Sequence, residues 1–302
     1  MLLVTAANGN QGKLLIPKLL RAGLDVRGAV QSEASGLALQ KMGLTDIVVG
    51  DLMDPAVLRK AMMGVEKVYH IGPTAHPKER EMGCAVIDAA REAGVKHFVL
   101  SSVLHAITTA LVQHEIKRDV EEHLLSSGLE FTILQPSNFM LPIKMRPVFL
   151  EGVFRLSWSL GRRQSLVDIG DLTDVAFSVL THSELHAGAT YELVGRGRYT
   201  AYELGEIISS VMGRPIPVEE IDADKYHRAL FGTAESEKSQ HQLKVLRAIT
   251  ARYSSNDFIG NPNVLTWLLN RQPTTFKEFV QKQYDAFLAQ GSILAEGCKA
   301  IA

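Results

Sequence analysis

The sequence predicts an α/β fold: a Rossmann-type, doubly wound parallel sheet with a smaller, mostly helical C-terminal substrate region. Three observations predict it. The turn TAANGNQG at Thr5–Gly12 follows a short apolar run and opens a helical pattern. Apolar runs and helical patterns then alternate, which is the signature of parallel strands joined by crossover helices. After Pro142 this rhythm breaks, and from Asp222 helical patterns dominate. The expected division is a dinucleotide-binding domain over 1–150 and a substrate-binding region over 151–302, with part of 165–195 returning to the first sheet.

Each element has its own signal. Leu2–Thr5 is an apolar run and reads as the first strand. Lys13–Arg21 places Leu14, Leu15, Leu19 and Leu20 at helical spacing, with Gly23 as a stop. Asp25–Gln31 and Asp46–Val49 read as the second and third strands. Pro55–Met63 reads as a helix, because proline at a helix start gives up an N–H that has no partner there anyway. Lys67–Ile71 and His97–Ser101 are strands on either side of a helix at Glu79–Ala93, closed by Gly94. Ala110–Ser127 is a helix and Glu130–Leu134 the sixth strand.

Further on, Gly161–Gln164 reads as a turn, Leu166–Ile169 and Thr190–Val194 as strands, and Asp171–Thr181 as a helix. Thr200 followed by Glu203 is a capping-box signature for a helix over Thr200–Met212. Ala234–His241 is polar and reads as a mobile loop; Ser254–Asn263, rich in Asn, Gly, Ser and Pro, reads as another. The tail after Gln290 shows little periodicity and is expected to be poorly ordered.

Composition narrows the function classes. The 302 residues carry 32 basic and 33 acidic side chains, a net charge of −1, so charge offers no case for nucleic acid or an anionic membrane. No apolar run approaches the ~20 residues of a membrane helix, and the short run before the glycine turn does not read as a secretory leader. Cys84 and Cys298 lie far apart and form neither a disulfide framework nor a zinc pattern, which fits a reducing, cytoplasmic setting. No metal site is expected. His182 and His186 sit in HSELH, not HExxH, and no G-x-S-x-G elbow is present.

The turn itself points to a dinucleotide. Gly9 and Gly12 permit close approach of backbone to a pyrophosphate, and the helix that follows offers free N–H groups and a partial positive charge. A P-loop is excluded, because Ala7 stands where the loop's first glycine belongs and Leu14 follows Lys13 where Ser or Thr should bind magnesium.

This turn resembles the GATGxxG turn of the NmrA-like branch of atypical short-chain dehydrogenases, with Ala6 for the first glycine and Asn8 for the usual threonine. Five further stretches resemble the same family: GDLMDPAVLRKAMMGVEKVYHI from Gly50, VIDAAREAGVKHFVLSSVLH from Val86, HEIKRDVEEHLLSSGLEFTILQPSNFM from His114, VDIGDLTDVA from Val167 and NPNVLTWLLNRQPTTFKEFV from Asn261. The last suggests a fungal-type subgroup. The resemblance covers most of the chain, in order.

The resemblance implies a cofactor site built from Ala7, Asn8, Gly9, Asn10, Gln11 and Gly12, with Asp51 and Leu52 at the adenine. Gln31 ends the second strand where the family often has an arginine for the 2′-phosphate of NADP, whereas an acidic residue would select NAD. Gln31 is neither; Ser32 and Ser35 remain as hydrogen-bond donors to a phosphate, and Arg27 lies on the same strand. NADP is the expected cofactor on family grounds, with NAD as the alternative. Ile71, Gly72, Pro73 and Ser101, at the ends of later strands, would stand beside the nicotinamide ribose. The loop after the sixth strand, with Pro136, Ser137, Asn138 and Phe139, would line the nicotinamide.

The catalytic positions depart from the Tyr-x-x-x-Lys pair. Lys117 holds the lysine position, to grip the ribose, but four residues earlier stands Gln113, which cannot act as an acid at neutral pH. His114 and His105 are the candidate proton donors, since imidazole titrates near neutrality. The expected function is an NAD(P)-dependent reductase of a small apolar or aromatic carbonyl, quinone or enone, a monomer or homodimer. Phe139, Met140, Phe149, Phe154 and Trp158 are expected to wall the substrate pocket. An NAD(P)-sensing regulatory protein without turnover, or a non-redox isomerase or lyase, is the alternative.

Overall fold

A computed structural model describes residues 1–299, with side chains described to residue 290. The first half is built of β1 (Leu2–Val4), α1 (Asn10–Arg21), β2 (Val26–Val30), α2 (Glu33–Gln40), β3 (Asp46–Val49), α3 (Pro55–Met62), β4 (Lys67–Ile71), α4 (Glu79–Glu92), β5 (His97–Ser101), α5 (Val112–Leu125) and β6 (Phe131–Pro136). The second half follows with β7 (Asn138–Met140), α6 (Pro142–Glu151), β8 (Phe154–Leu156), β9 (Leu166–Asp168), α7 (Ile169–Thr181), β10 (Ala189–Leu193), α8 (Ala201–Met212), β11 (Val218–Glu220), α9 (Ala223–Phe231), α10 (Glu237–Ser255), α11 (Asn263–Leu269) and α12 (Phe276–Lys299).

Seven parallel strands form the central sheet in the order β10-β6-β5-β4-β1-β2-β3. Strand order reverses between β1 and β4, and a crevice outside the carboxyl ends of strands at such a switch is where α/β sheets take ligands. A parallel sheet must be covered on both faces. Leu15, Ile16 and Leu19 of α1, Val175 and Val179 of α7 and Leu265 of α11 cover one face. Leu58 of α3, Val86 and Ile87 of α4 and Val120 and Leu124 of α5 cover the other. At one edge of the sheet β10 pairs in parallel with β6, Ala189 opposite Thr132. Lys18 of α1 fixes α7 by donating to Gly170 O, Thr173 Oγ1 and Asp174 Oδ1 at 3.1, 2.8 and 2.5 Å.

A separate apolar core joins α6, α8, α10 and α12 to two small sheets, β7-β9 and β8-β11. Several short elements carry too little periodicity to be read beforehand: α2, β7, α6, β8 and β11. The expected mobile loop at Ala234–His241 is instead largely the start of α10, capped by Ser236, whose Oγ accepts Ser239 N at 3.1 Å. Its polarity reflects an exposed helix end, not a lack of helix. The capping box at Thr200 and Glu203 is formed as expected. Beyond Gln290 the helix α12 runs on to Lys299, and residues 300–302 lie outside those described.

The β1–α1 turn is tight. A Cβ on Gly12 would lie 2.2 Å from the carbonyl oxygen of Ala7, so only glycine lets α1 approach the turn. Ala6 stands at φ +44°, in the left-handed region where the family has glycine. Gly12→Ala should therefore lower stability by about 2 kcal/mol or more, while Ala6→Gly should raise it by up to about 1 kcal/mol through relief of strain. Urea titration of both variants measures this; a neutral Gly12→Ala contradicts it.

Burial also sets a pH response. His70 and His97 are buried in β4 and β5. Burial, with the nearby Lys117 charge, holds His70 at about 3, and burial with the Lys67 charge holds His97 at about 4, both below the usual 6.5. Between these values the unfolded chain binds protons that the fold refuses. Stability should therefore fall as pH drops below about 6.5, by up to about 1.4 kcal/mol per unit for each imidazole. Denaturant midpoints between about pH 7.5 and 4 test this; a flat profile contradicts it.

Candidate active site

Two adjoining cavities open at the switch point. One of about 370 Å³ is walled by the β1–α1 turn, the ends of β2 and β3, and the loop after β4. The second, about 150 Å³, lies at the ends of β4, β5 and β6 beneath α5 and α10. Ile71 lines both, so they form one groove across the top of the sheet.

The groove fits an extended anion. Gly9 is the N-cap of α1 and no side chain caps that helix or puts an acidic group in its first turn, so its free N–H groups point to solvent. Asn8 lines the first cavity, with Nδ2 donating to Ser35 Oγ at 2.8 Å. Gln31, Ser32, Asp51, Leu52 and Pro73 line the same cavity. Ala7 is buried behind the turn and Asn10 is exposed at the helix start. Arg27 does not reach the cavity: its guanidinium is tied to Asp46 and to the carbonyls of Lys60, Ala61 and Met63.

In the second cavity the structure assembles Gln11, Gly72, Ser101, Gln113, His114, Lys117, Pro136, Ser137, Asn138 and Phe139. Gln11 is held from both sides: its Oε1 accepts Tyr69 OH at 2.6 Å and its Nε2 donates to Ser101 Oγ at 3.0 Å. Lys117 is buried, with Nζ 3.2 Å from Ser101 O and 2.8 Å from Glu79 Oε1. Glu79 opens α4, and its other oxygen accepts Ala75 N at 3.0 Å. A Cβ on Gly72 would stand 2.9 Å from both Lys117 Nζ and Glu79 Oε1. Gly72 is thus the gap into which the ion pair fits. Ser102 Oγ donates to Glu121, whose oxygens also accept Gln135 Nε2 at 2.9 and 3.0 Å. Burial pushes the Glu121 carboxyl up. The hydroxyl of Ser137 is buried without a protein partner and belongs to a residue lining the cavity, so the site has a polar group left for a ligand.

The two histidines separate. His114 is buried and lines the cavity, its Nδ1 2.9 Å from the carbonyl of His105. That contact makes Nδ1 the protonated nitrogen and leaves Nε2 as an acceptor. Burial lowers the His114 pKa, keeping the ring neutral at neutral pH. The His105 side chain is not brought to the cavity. It stands 3.8 Å from Glu192 and edge-on to Phe258, and only its backbone, at φ +56°, serves His114.

Tyr253 of α10 was missed in the sequence. It lines the cavity with Ile249, its hydroxyl donates to Asn138 Oδ1 at 3.2 Å, and it stacks on Phe258 with ring centres 5.0 Å apart. Burial raises its pKa, so it stays a phenol. The spacing Ile249–Tyr253 along one helix face was the available signal, but it equally describes core. Of the expected aromatic wall, only Phe139 reaches this cavity. Met140, Phe154 and Trp158 line a neighbouring apolar void of about 50 Å³, and Phe149 packs on Tyr284 and Phe287, because β7 and β8 face the C-terminal core. Among the described residues no His, Cys, Asp and Glu cluster could hold a metal, and no helix is long and apolar enough to cross a membrane.

A parallel sheet with this switch-point groove, an uncapped α1 and a glycine-tight turn defines a dinucleotide-binding protein. A family model described as NAD(P)H-binding matches residues 6–146. The NAD(P)H azoreductase of Xenophilus azovorans is 28% identical over 295 residues, covering 95% of this chain and 99% of that protein. The (4-alkanoyl-5-oxo-2,5-dihydrofuran-3-yl)methyl phosphate reductase of Streptomyces griseus is 30% identical over 249 residues, covering 76% and 80%. The triphenylmethane reductase of Citrobacter sp., solved with NADP(H), superposes with a TM-score of 0.79 at 24% identity, covering 94% of this chain and 100% of that one. The chain belongs to the NmrA-like family of atypical short-chain dehydrogenases/reductases.

The buried pair gives a prediction. Glu79→Gln leaves an ammonium without its counter-charge and should cost about 3 kcal/mol or more of stability. Lys117→Met with Glu79→Gln should recover part of that loss. Thermal unfolding of the single and double variants measures this; additive losses contradict the coupling.

Proposed function

We propose that the protein is an NADPH-dependent reductase that delivers hydride to a flat, conjugated acceptor such as a quinone, an azo compound or an activated enone. The observation that carries this reading is Gln113 beside Lys117 in the cavity: the ribose-gripping lysine is kept and the acidic tyrosine is not. When bound, the nicotinamide supplies the hydride. Reduction of a simple ketone would leave a strongly basic alkoxide, which needs an acid in place. Reduction of a conjugated acceptor leaves a delocalised, weakly basic anion that takes its proton from water. A site without the lysine-coupled tyrosine, and whose lining phenol, Tyr253, is held protonated by burial and donates to Asn138 Oδ1, suits the second class. The names of the azo, oxo-dihydrofuranyl and triphenylmethane reductases among its relatives agree.

The residues take roles accordingly. The N–H groups at Asn10–Gly12 hold the pyrophosphate; Asp51 and Leu52 bound the adenosine end. Lys117, fixed by Glu79 and Ser101 O, holds the ribose hydroxyls. Phe139, Ile249 and Tyr253 make the apolar bed for a planar acceptor. The Gln113 amide N–H orients it by donating a hydrogen bond, and the neutral His114 ring lines the cavity beside it. The region after about residue 150 supplies α10 and with it much of the acceptor's wall. The near-zero net charge and the separated cysteines fit a cytoplasmic enzyme of small molecules rather than a nucleic-acid binder.

NADPH oxidation with 1,4-naphthoquinone, an azo dye and a panel of saturated ketones tests the reading. Conjugated acceptors should turn over at least about 100-fold faster than saturated ones, a difference of about 2.7 kcal/mol. Lys117→Met should lower kcat/KM about 10- to 100-fold. Tight NADPH binding with no turnover of any acceptor would replace the reductase by a sensing protein.

A further inference from the structure

The end of β2 offers no cation for a 2′-phosphate. Gln31 takes the place of the family's arginine, and Arg27 is used up by Asp46 and three carbonyls. Yet the adenosine cavity holds one Lys or Arg among its described lining residues: Lys238. It comes from the first turn of α10, more than two hundred positions further along the chain. It is exposed and has no salt bridge among the described residues. Ser32, Ser35 and His76 line the same cavity, with Ser32 Oγ donating to Ser35 Oγ at 3.0 Å. The other charged or titratable groups near His76 are Asp51, Glu79 and His241. The carboxylate of Asp51 is engaged with its own loop, accepting Met53 N at 2.9 Å. The carboxylate of Glu79 is paired with Lys117.

We propose that Lys238 supplies the charge that selects NADPH over NADH, gripping the 2′-phosphate together with the hydroxyls of Ser32 and Ser35. The inference rests on the dinucleotide reading above and adds the residue that sets the cofactor's identity. A lysine suits the task as a point charge on a flexible stem, reaching a phosphate across a cavity from a separate element. The placement has a second consequence. The same helix that carries Lys238 at its start carries Ile249 and Tyr253 against the nicotinamide end of the groove. One helix therefore lines both ends of the cofactor site.

Equilibrium binding separates this from the reductase reading. Kd values for NADPH, NADH, 2′,5′-ADP and 5′-ADP are measured by calorimetry for the native protein and Lys238→Ala, at about pH 8 so that imidazoles are neutral. The expected result is a rise of about tenfold or more in Kd for NADPH and 2′,5′-ADP, with NADH and 5′-ADP changed less than about twofold. Gln31→Arg in the Lys238→Ala background should restore the preference. Equal weakening of NADPH and NADH, or no change in either, overturns the proposal. Loss of turnover alone does not bear on it, since the readout is binding.

Discussion

The buried ion pair between Lys117 and Glu79 is the interaction on which the active-site half of the groove depends. Both side chains are almost wholly shielded from solvent, at 7% and 2% exposure. A charge so placed must be neutralised by an opposite charge at close range, or the site will not hold it. The chain meets this from three directions. Glu79 comes from the first turn of α4, Ser101 O from the end of β5, and Gly72 leaves the space between. The lysine is thereby fixed over the ends of β4 and β5, where the nicotinamide ribose belongs in a sheet of this winding. Replacing Gly72 by any larger residue would press on both charges at once.

The phosphate end works by backbone rather than by charge. Gly12 brings α1 against the Ala7 carbonyl, and the uncapped helix start presents its N–H groups to the groove. Ala6 carries a left-handed backbone that glycine would hold without strain. The turn therefore keeps the geometry of a glycine-rich loop with one glycine fewer, at a cost in local strain. The electrostatic work left undone there falls to groups further along the groove.

Much of this was legible in the sequence. The alternation of strands and helices, the turn, the lysine and the missing tyrosine could all be read, because each is local in the chain. The strands buried on both faces were clear as apolar runs. What escaped was carried by distant parts of the chain. Tyr253 and Lys238 enter the groove from a helix whose polar start looks like a loop, and nothing within a few residues of either marks it as a site residue. His105 was misleading for a related reason: the useful atom is its carbonyl, and a sequence displays side chains. The aromatic residues after Phe139 read as a substrate wall; Met140, Phe154 and Trp158 line a neighbouring apolar cavity that shares Asn138 and Phe139 with the site, and Phe149 packs in the C-terminal core. Short elements such as β7 and α6 have too few residues for periodicity to separate core from pocket.

Hydride transfer in a cavity without a lysine-activated tyrosine sets this site apart. Its most direct measurement is a single turnover of protein-bound NADPH, deuterated at nicotinamide C4, on rapid mixing with 1,4-naphthoquinone. The bound NADPH should be oxidised, slowed by deuterium on one face of the ring only, at a rate that does not depend on an acidic group near neutral pH. Bound NADPH that stays reduced in the presence of conjugated acceptors would contradict it.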